Sequence, residues 1–177
     1  MHILVTNDDG VTAPGLLALV QAVRPLGEVT VLAPDHNWSA SGHVKTLHRP
    51  LRAREVLLAD GSPALASDGA PSDCVALALL GLVEKPIDLV LSGINPYANV
   101  GHDLTYSGTV TAAMEAAIFG LPAVAFSLNS DDDTPQPLDY SAAGQVARRV
   151  VELLQARPLP GHILLNVNIP CLPYEQL

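Results

Sequence analysis

Ile87-Asp88-Leu89-Val90-Leu91-Ser92-Gly93-Ile94-Asn95 is the stretch that decides the fold. From Ile87 to Leu91 the residues are apolar almost without interruption, with no in-and-out alternation. That is how a strand reads when both of its faces are buried, as in a parallel sheet. Working outward, Pro71 to Val83 reads as a helix opened by Pro71 and Ser72, residue types favoured at helix starts. On the other side Ser107 to Phe119 is an Ala-rich helix, with Ser107 as its cap and Gly120 just past its end, and a strand follows from Ala123 to Phe126.

The same alternation continues to both ends. His2 to Thr6 is the first strand, and Pro14 to Arg24 carries Leu16, Leu17, Val20 and Val23 at helical spacing as a crossover helix; Val29 to Ala33 is the second strand. Arg52 to Leu58 is a strand or an excursion. Residues 128–138, including Asp131-Asp132-Asp133, form an exposed acidic, Pro-containing loop. Asp139 to Ala156 is a helix with Val146, Val150, Leu153 and Leu154 on one face, and Ile163 to Val167 is the last strand. Short strands alternating with helices predict an α/β fold, a Rossmann-like and mostly parallel sheet flanked by helices in three layers. No repeat, linker or low-complexity tract interrupts it, so residues 1–177 are expected to form a single domain.

A chain of 177 residues with 49% hydrophobic content can bury a core of its own. Nine basic residues against 18 acidic ones give a formal charge of −9, which argues against a polymeric nucleic-acid partner. The same charge would repel a small phosphate ester unless a cation or oriented backbone N–H groups reverse the local field. Cys74 and Cys171 stand far apart and outside any C-x-x-C spacing, as expected of a protein in the reducing cytoplasm. No apolar run reaches the ~18 residues of a membrane span, and no leader pattern precedes Ile3.

In open α/β sheets ligands bind beyond the carboxyl ends of the strands. Thr6-Asn7-Asp8-Asp9-Gly10 falls at such an end. Two adjacent carboxylates raise each other's pKa unless a cation sits between them, and their oxygens suit a hard ion such as Mg²⁺, Mn²⁺ or Ca²⁺. The same residue types also make an ordinary turn, and for this motif alone either reading stands. The second strand runs into a long polar loop with His36, Asn37, Trp38, Ser39 and His43, and neither histidine is assigned to a metal. Asn95, at the end of the deciding strand, can offer a neutral oxygen to a cation or an amide N–H to a phosphate. Ser107-Gly108-Thr109 opens a helix whose N–H groups and hydroxyls suit an anion, although a plain Ser cap is as common. Trp38 and Tyr97 are candidates to stack on a base, or packing residues. Neither G-x-G-x-x-G after the first strand nor G-x-x-x-x-G-K-[ST] is present, which disfavours a dinucleotide oxidoreductase and a P-loop NTPase.

Taken in order, Ile3 through Gly10, Ala33-Pro34-Asp35 with Asn37 and Ser39, Gly69 through Cys74, Ser92 through Asn95, Tyr106 through Val110 and Asn166 through Pro170 resemble the SurE (survival protein E) family of metal-dependent nucleotidases, also described as acid phosphatases. The resemblance implies one divalent cation, Mg²⁺ or Mn²⁺ with Ca²⁺ as a further option, held by Asp8, Asp9, Ser39 and Asn95. It implies phosphate binding by Asn95, Ser107, Gly108 and Thr109, and catalysis by Asp8 and Asp9, one of them as base or nucleophile. The expected reaction is hydrolysis of nucleoside 5′-monophosphates, with 3′-monophosphates as a further option, to nucleoside and phosphate. The alternatives are a nucleotide- and metal-binding sensor with little turnover, and a metal-dependent transferase acting on a nucleotide sugar. Two departures stand out. Tyr97 occupies the glycine of the family's Asn-x-Gly-x-Asn pattern. The family's C-terminal region, which builds homo-dimers or tetramers, is expected to be absent or truncated beyond Leu177.

Overall fold

The structure is a computed structural model and describes residues 1–131 and 133–177; Asp132, in the acidic run, lies outside the described residues. The strands are β1 (His2–Thr6), β2 (Glu28–Pro34), β3 (Ala53–Leu57), β4 (Pro63–Ser67), β5 (Leu89–Asn95), β6 (Ala123–Asn129) and β7 (Leu164–Pro170). The α-helices are α1 (Pro14–Val23), α2 (Pro71–Leu77), α3 (Gly108–Ile118) and α4 (Ser141–Ala156). One seven-stranded sheet has the order β3-β4-β2-β1-β5-β6-β7. Every pairing in it is parallel except that of β3 with β4 at one edge.

The apolar runs are continuous because successive residues of each central strand serve two different cores. Ile3, Val5, Leu89, Leu91, Val124 and Phe126 point to one face, where α1 and α4 cover them with Leu16, Leu19, Val20, Ala147 and Val151. Leu4, Val90, Ala123 and Ala125 point to the other face, under Cys74 and Val75 of α2 and Val110, Ala113 and Ala116 of α3. Each large side chain taken fully from water contributes roughly 1.5–3 kcal/mol, which sets the register of every strand so covered. The three-layer α/β architecture expected from the alternation is therefore the one observed.

The differences are at the edges. Arg52 to Leu58 resolves as strand β3, and β4, which the periodicity does not reveal, completes a hairpin with it. Helix α2 ends at Leu77 and continues as a wider turn to Leu82, where Gly81 adopts φ 116°. Strand β6 extends to Asn129, into what the sequence reads as loop, because it pairs residue for residue with β7 out to Pro170.

Chain order relative to space locates the site. From β1 the chain crosses over to β2 on one side, and it later enters β5 on the other, so a crevice opens between the carboxyl ends of β1 and β5. Thr6 pairs with Ser92 in the last register position of that pair. Beyond it, β5 shifts register against β6 between Ser92 and Asn95, the kind of local bulge that re-aims a side chain next to a site.

Candidate active site

The turn after β1 is locked by its own side chain. Asn7 Oδ1 accepts from the Gly10 N–H at 3.2 Å, and Asn7 Nδ2 donates to the Gly10 carbonyl at 3.0 Å. Gly10 sits at φ 103°, a conformation that a side chain would strain. This clamp turns Asp8 inward, where it is 4% exposed, and leaves Asp9 partly exposed at the crevice.

Asp8 lies against the start of α3 and accepts a hydrogen bond from the Thr109 hydroxyl. Burial pushes its pKa upward, opposed by that hydroxyl and by the backbone N–H groups of Thr109 and Gly108. Asp9 is raised to about 7, first by desolvation and second by the charge of Asp8. Among the described residues, neither carboxylate has a positively charged partner.

The loop after β2 and the end of β5 supply the other groups. The Trp38 N–H donates to the Asp8 carbonyl at 2.7 Å, which brings the loop across the crevice. Asn37 Nδ2 lies 3.4 Å from Asp9 Oδ1, and the Ser39 N–H donates to Asn37 Oδ1 at 2.7 Å. Asn95 commits one amide N–H to the Tyr97 carbonyl at 2.6 Å, which leaves its Oδ1 and its second N–H to offer.

Asp8, Asp9, Ser39 and Asn95 line one open cavity of about 390 Å³, together with Ser107 and Tyr97. A larger cavity of about 560 Å³ lies among α4, β7 and the C-terminal tail, but its lining brings no carboxylates together. Among the described residues lining the first cavity there is no lysine or arginine. The donors are hard oxygens, two charged and two neutral, which fits Mg²⁺, Mn²⁺ or Ca²⁺ better than a soft-ligand metal. No group of three His, Cys, Asp or Glu residues gathers as a metal cluster among the described residues.

The three residues at the start of α3 divide. Ser107 lines the cavity while its hydroxyl accepts from the Val110 N–H at 3.1 Å as the helix cap. Gly108 and Thr109 stand behind Asp8 and support it. His36 pairs with Asp35 and stacks on Trp38 with ring centroids 5.1 Å apart, and His43 reaches Glu115; neither lines the cavity.

Asn99 and Asp103 also line the cavity, and neither stands out in the sequence by type or spacing. Asn99 is held from four sides: its N–H donates to Asn168 Oδ1, its amide to Ser127 Oγ, and its carbonyl accepts from Asn166 and Asn168. The paired asparagines in Asn166-Val167-Asn168 were the available signal, since alternate polar residues in a strand share one face.

The pattern that defines the family "Survival protein SurE" matches residues 3–177. The chain is 55% identical over 177 residues to a protein of Chloroflexus aggregans named 5′-nucleotidase SurE, covering all of this chain and 69% of that one. It is 55% identical over 170 residues to the protein of the same name from Herpetosiphon aurantiacus, covering 96% and 66% of the two chains. The crystal structure of the SurE protein from Aquifex aeolicus superposes with a TM-score of 0.87 at 41% identity, covering 99% of this chain and 68% of that one. The chain thus spans about two thirds of the length of these relatives.

Proposed function

The chain belongs to the SurE family, and from that membership we propose that it is a metal-dependent 5′-nucleotidase, releasing phosphate from nucleoside monophosphates at the cavity between β1 and β5. One observation carries the proposal. Oxygen donors from three separate segments face a cavity that, among the described residues, is lined by carboxylates and no basic side chain, so a phosphate ester there needs a cation beside the oriented N–H groups of a helix end. The relatives' name favours turnover over the sensor alternative.

Asp8, Asp9, Ser39 and Asn95 would hold the divalent cation. When bound, the cation supplies Lewis-acid stabilisation of charge developing on the phosphoryl oxygens and a lowered pKa for water. The protein's own groups divide the remaining work. Asp8, held by the Thr109 hydroxyl, would present its carboxylate to the cation in a set orientation. Asp9 is partly exposed and faces the cavity, so it is the carboxylate placed to take a proton from the attacking water. Ser107 and the first turn of α3 lie where the helix dipole favours the phosphate's negative charge. Asn95 would face the cation with its Oδ1, and its second amide N–H is the group able to donate to the phosphate.

Release of phosphate from AMP or GMP with Mn²⁺, and its loss in EDTA, is the test. Asp8→Asn should abolish release with a normal melting transition; near-normal activity in that variant would remove the proposal. Activity on 3′-monophosphates, a homo-dimer or tetramer and a cytoplasmic location belong to the same proposal. No helix among the described residues is long and apolar enough to cross a membrane.

A further inference from the structure

Residues 35–52 join β2 to β3 without helix or strand, longer than the ~12–15 residues beyond which a structureless connection needs a function or a tether. The segment carries Asn37 and Ser39 into the cavity, and its local conformation is costly. Ala40 sits at φ 58°, a left-handed conformation costing roughly 1–2 kcal/mol for a residue with a Cβ. The Trp38 indole N–H and the Ser41 hydroxyl are buried without a partner among the described residues. Such a loop must be held from outside.

Helix α3 holds it along one stripe. Gly108, Thr111 and Glu115 stand three, four and seven positions apart, the spacing of one helical face. Gly108 packs on Asp8. The Thr111 hydroxyl, shared with the Ser107 carbonyl of its own helix at 2.8 Å, reaches the Gly42 carbonyl at 3.0 Å, and the Gly42 N–H donates to the Tyr106 carbonyl at 2.8 Å. Glu115, with 5% of its side chain exposed, spends both oxygens on the loop: Oε2 lies 2.7 Å from His43 Nε2, and Oε1 accepts from Lys45 Nζ. Helix α2 adds further ties: the Ser72 hydroxyl donates to the Val44 carbonyl, the Lys45 ammonium to the Ser72 carbonyl at 3.2 Å and the Thr46 N–H to the Asp73 carboxylate at 3.2 Å. A single helix therefore touches the Asp8 half of the cavity with its first turn and grips the Ser39 half two turns later.

We propose that Glu115 is a positioning residue of the active site: through His43 and Lys45 it fixes the loop bearing Asn37 and Ser39 opposite Asp8 and Asp9, and so sets the site's affinity for its cation. The inference rests on the cation-binding role proposed above for Ser39. Glu115 touches neither substrate nor cation. A purely architectural ion cluster would change the melting temperature and leave the cavity's chemistry alone.

Trp38, the chain's one tryptophan, lies on the loop and reports its order. Glu115→Gln keeps the shape and removes the charge; His43→Asn combined with Lys45→Met releases the loop without touching α3. Each is compared with the unmodified protein by Mn²⁺ titration calorimetry, by acrylamide quenching of Trp38, and by the Mn²⁺ dependence of AMP hydrolysis. Mn²⁺ affinity should fall about tenfold or more, as for loss of an outer-shell partner of a metal site. Quenching should rise, and the turnover rate should recover at saturating Mn²⁺. Mn²⁺ affinity and quenching equal to those of the unmodified protein, in Glu115→Gln or in the loop-side double variant should Glu115→Gln not fold, would overturn the inference. If the unmodified protein itself binds no Mn²⁺, it is the proposed function that fails.

Discussion

Gly108 and Asp8 are packed so closely that a Cβ on the glycine would stand 2.6 Å from the Asp8 Cβ and 2.9 Å from its Oδ2. The first turn of α3 can approach the carboxylate only because position 108 has no side chain. Gly108→Ala must push Asp8 out of place or lift the helix end. Overpacking of this kind costs about 1–3 kcal/mol, and a displacement near 1 Å in a catalytic group costs on the order of a hundredfold in rate. The expected variant is folded, melts somewhat earlier and hydrolyses AMP about a hundred times more slowly. Undiminished turnover would mean that the placement of Asp8 does not matter.

Asp9 makes the cation-free protein sensitive to pH in an unusual direction. Its folded pKa is raised to about 7 by desolvation and by Asp8, so between the ordinary carboxylate range and neutrality the folded state holds a proton that the unfolded chain has released. The contribution of this group to stability is therefore present at low pH and is lost as pH rises toward 7. In EDTA, the melting temperature of the unmodified protein relative to Asp9→Asn should fall between pH 5 and pH 7.5, and Mn²⁺ should restore it. A difference that stays flat across that range contradicts the assignment.

What the sequence showed and what it hid have the same physical origin. Strands β1 and β5 are legible because Ile3-Leu4-Val5 and Leu89-Val90-Leu91 feed both cores, which leaves an unbroken apolar run. Asp8, Asp9 and Asn95 follow from topology, since parallel strands bring their carboxyl ends to one rim. Strand β4 was hidden: Pro63-Ala64-Leu65-Ala66-Ser67 has no β-branched or aromatic residue, and pairing with β2 and β3 alone makes it a strand. Glu115 was equally hidden, since its partners His43 and Lys45 are 72 and 70 residues away. The division of labour at the start of α3, with Ser107 facing the cavity and Thr109 facing Asp8, depends on helix phase relative to the sheet, which no local pattern carries.

The two cysteines should differ sharply toward an alkylating reagent. Cys74 is fully buried between α2 and the sheet, and desolvation followed by the charge of Asp73 drives its thiol pKa far above the ordinary value. The thiolate is the reactive form, so Cys74 should label only when the protein unfolds. Cys171, partly exposed after β7, should label in the native state. Peptide mapping after brief iodoacetamide exposure, with and without denaturant, reads both. Native-state labelling of Cys74 would contradict the packing of α2.

Tyr97 offers the sharpest view of substrate choice. The residue is 52% exposed and lines the cavity, while its carbonyl accepts from the Asn95 amide. Tyr97→Ala therefore removes the aromatic surface and keeps the backbone contact that orients Asn95. Base stacking on an aromatic side chain is worth about 1–3 kcal/mol. If the ring receives the nucleobase, KM for AMP should rise roughly five- to a hundredfold, with kcat little changed because the phosphate end is untouched. Ribose 5-phosphate, which has no base to stack, should show the same KM with both proteins. An equal loss on both substrates would assign Tyr97 to loop shape, and no loss on either would leave the base bound elsewhere.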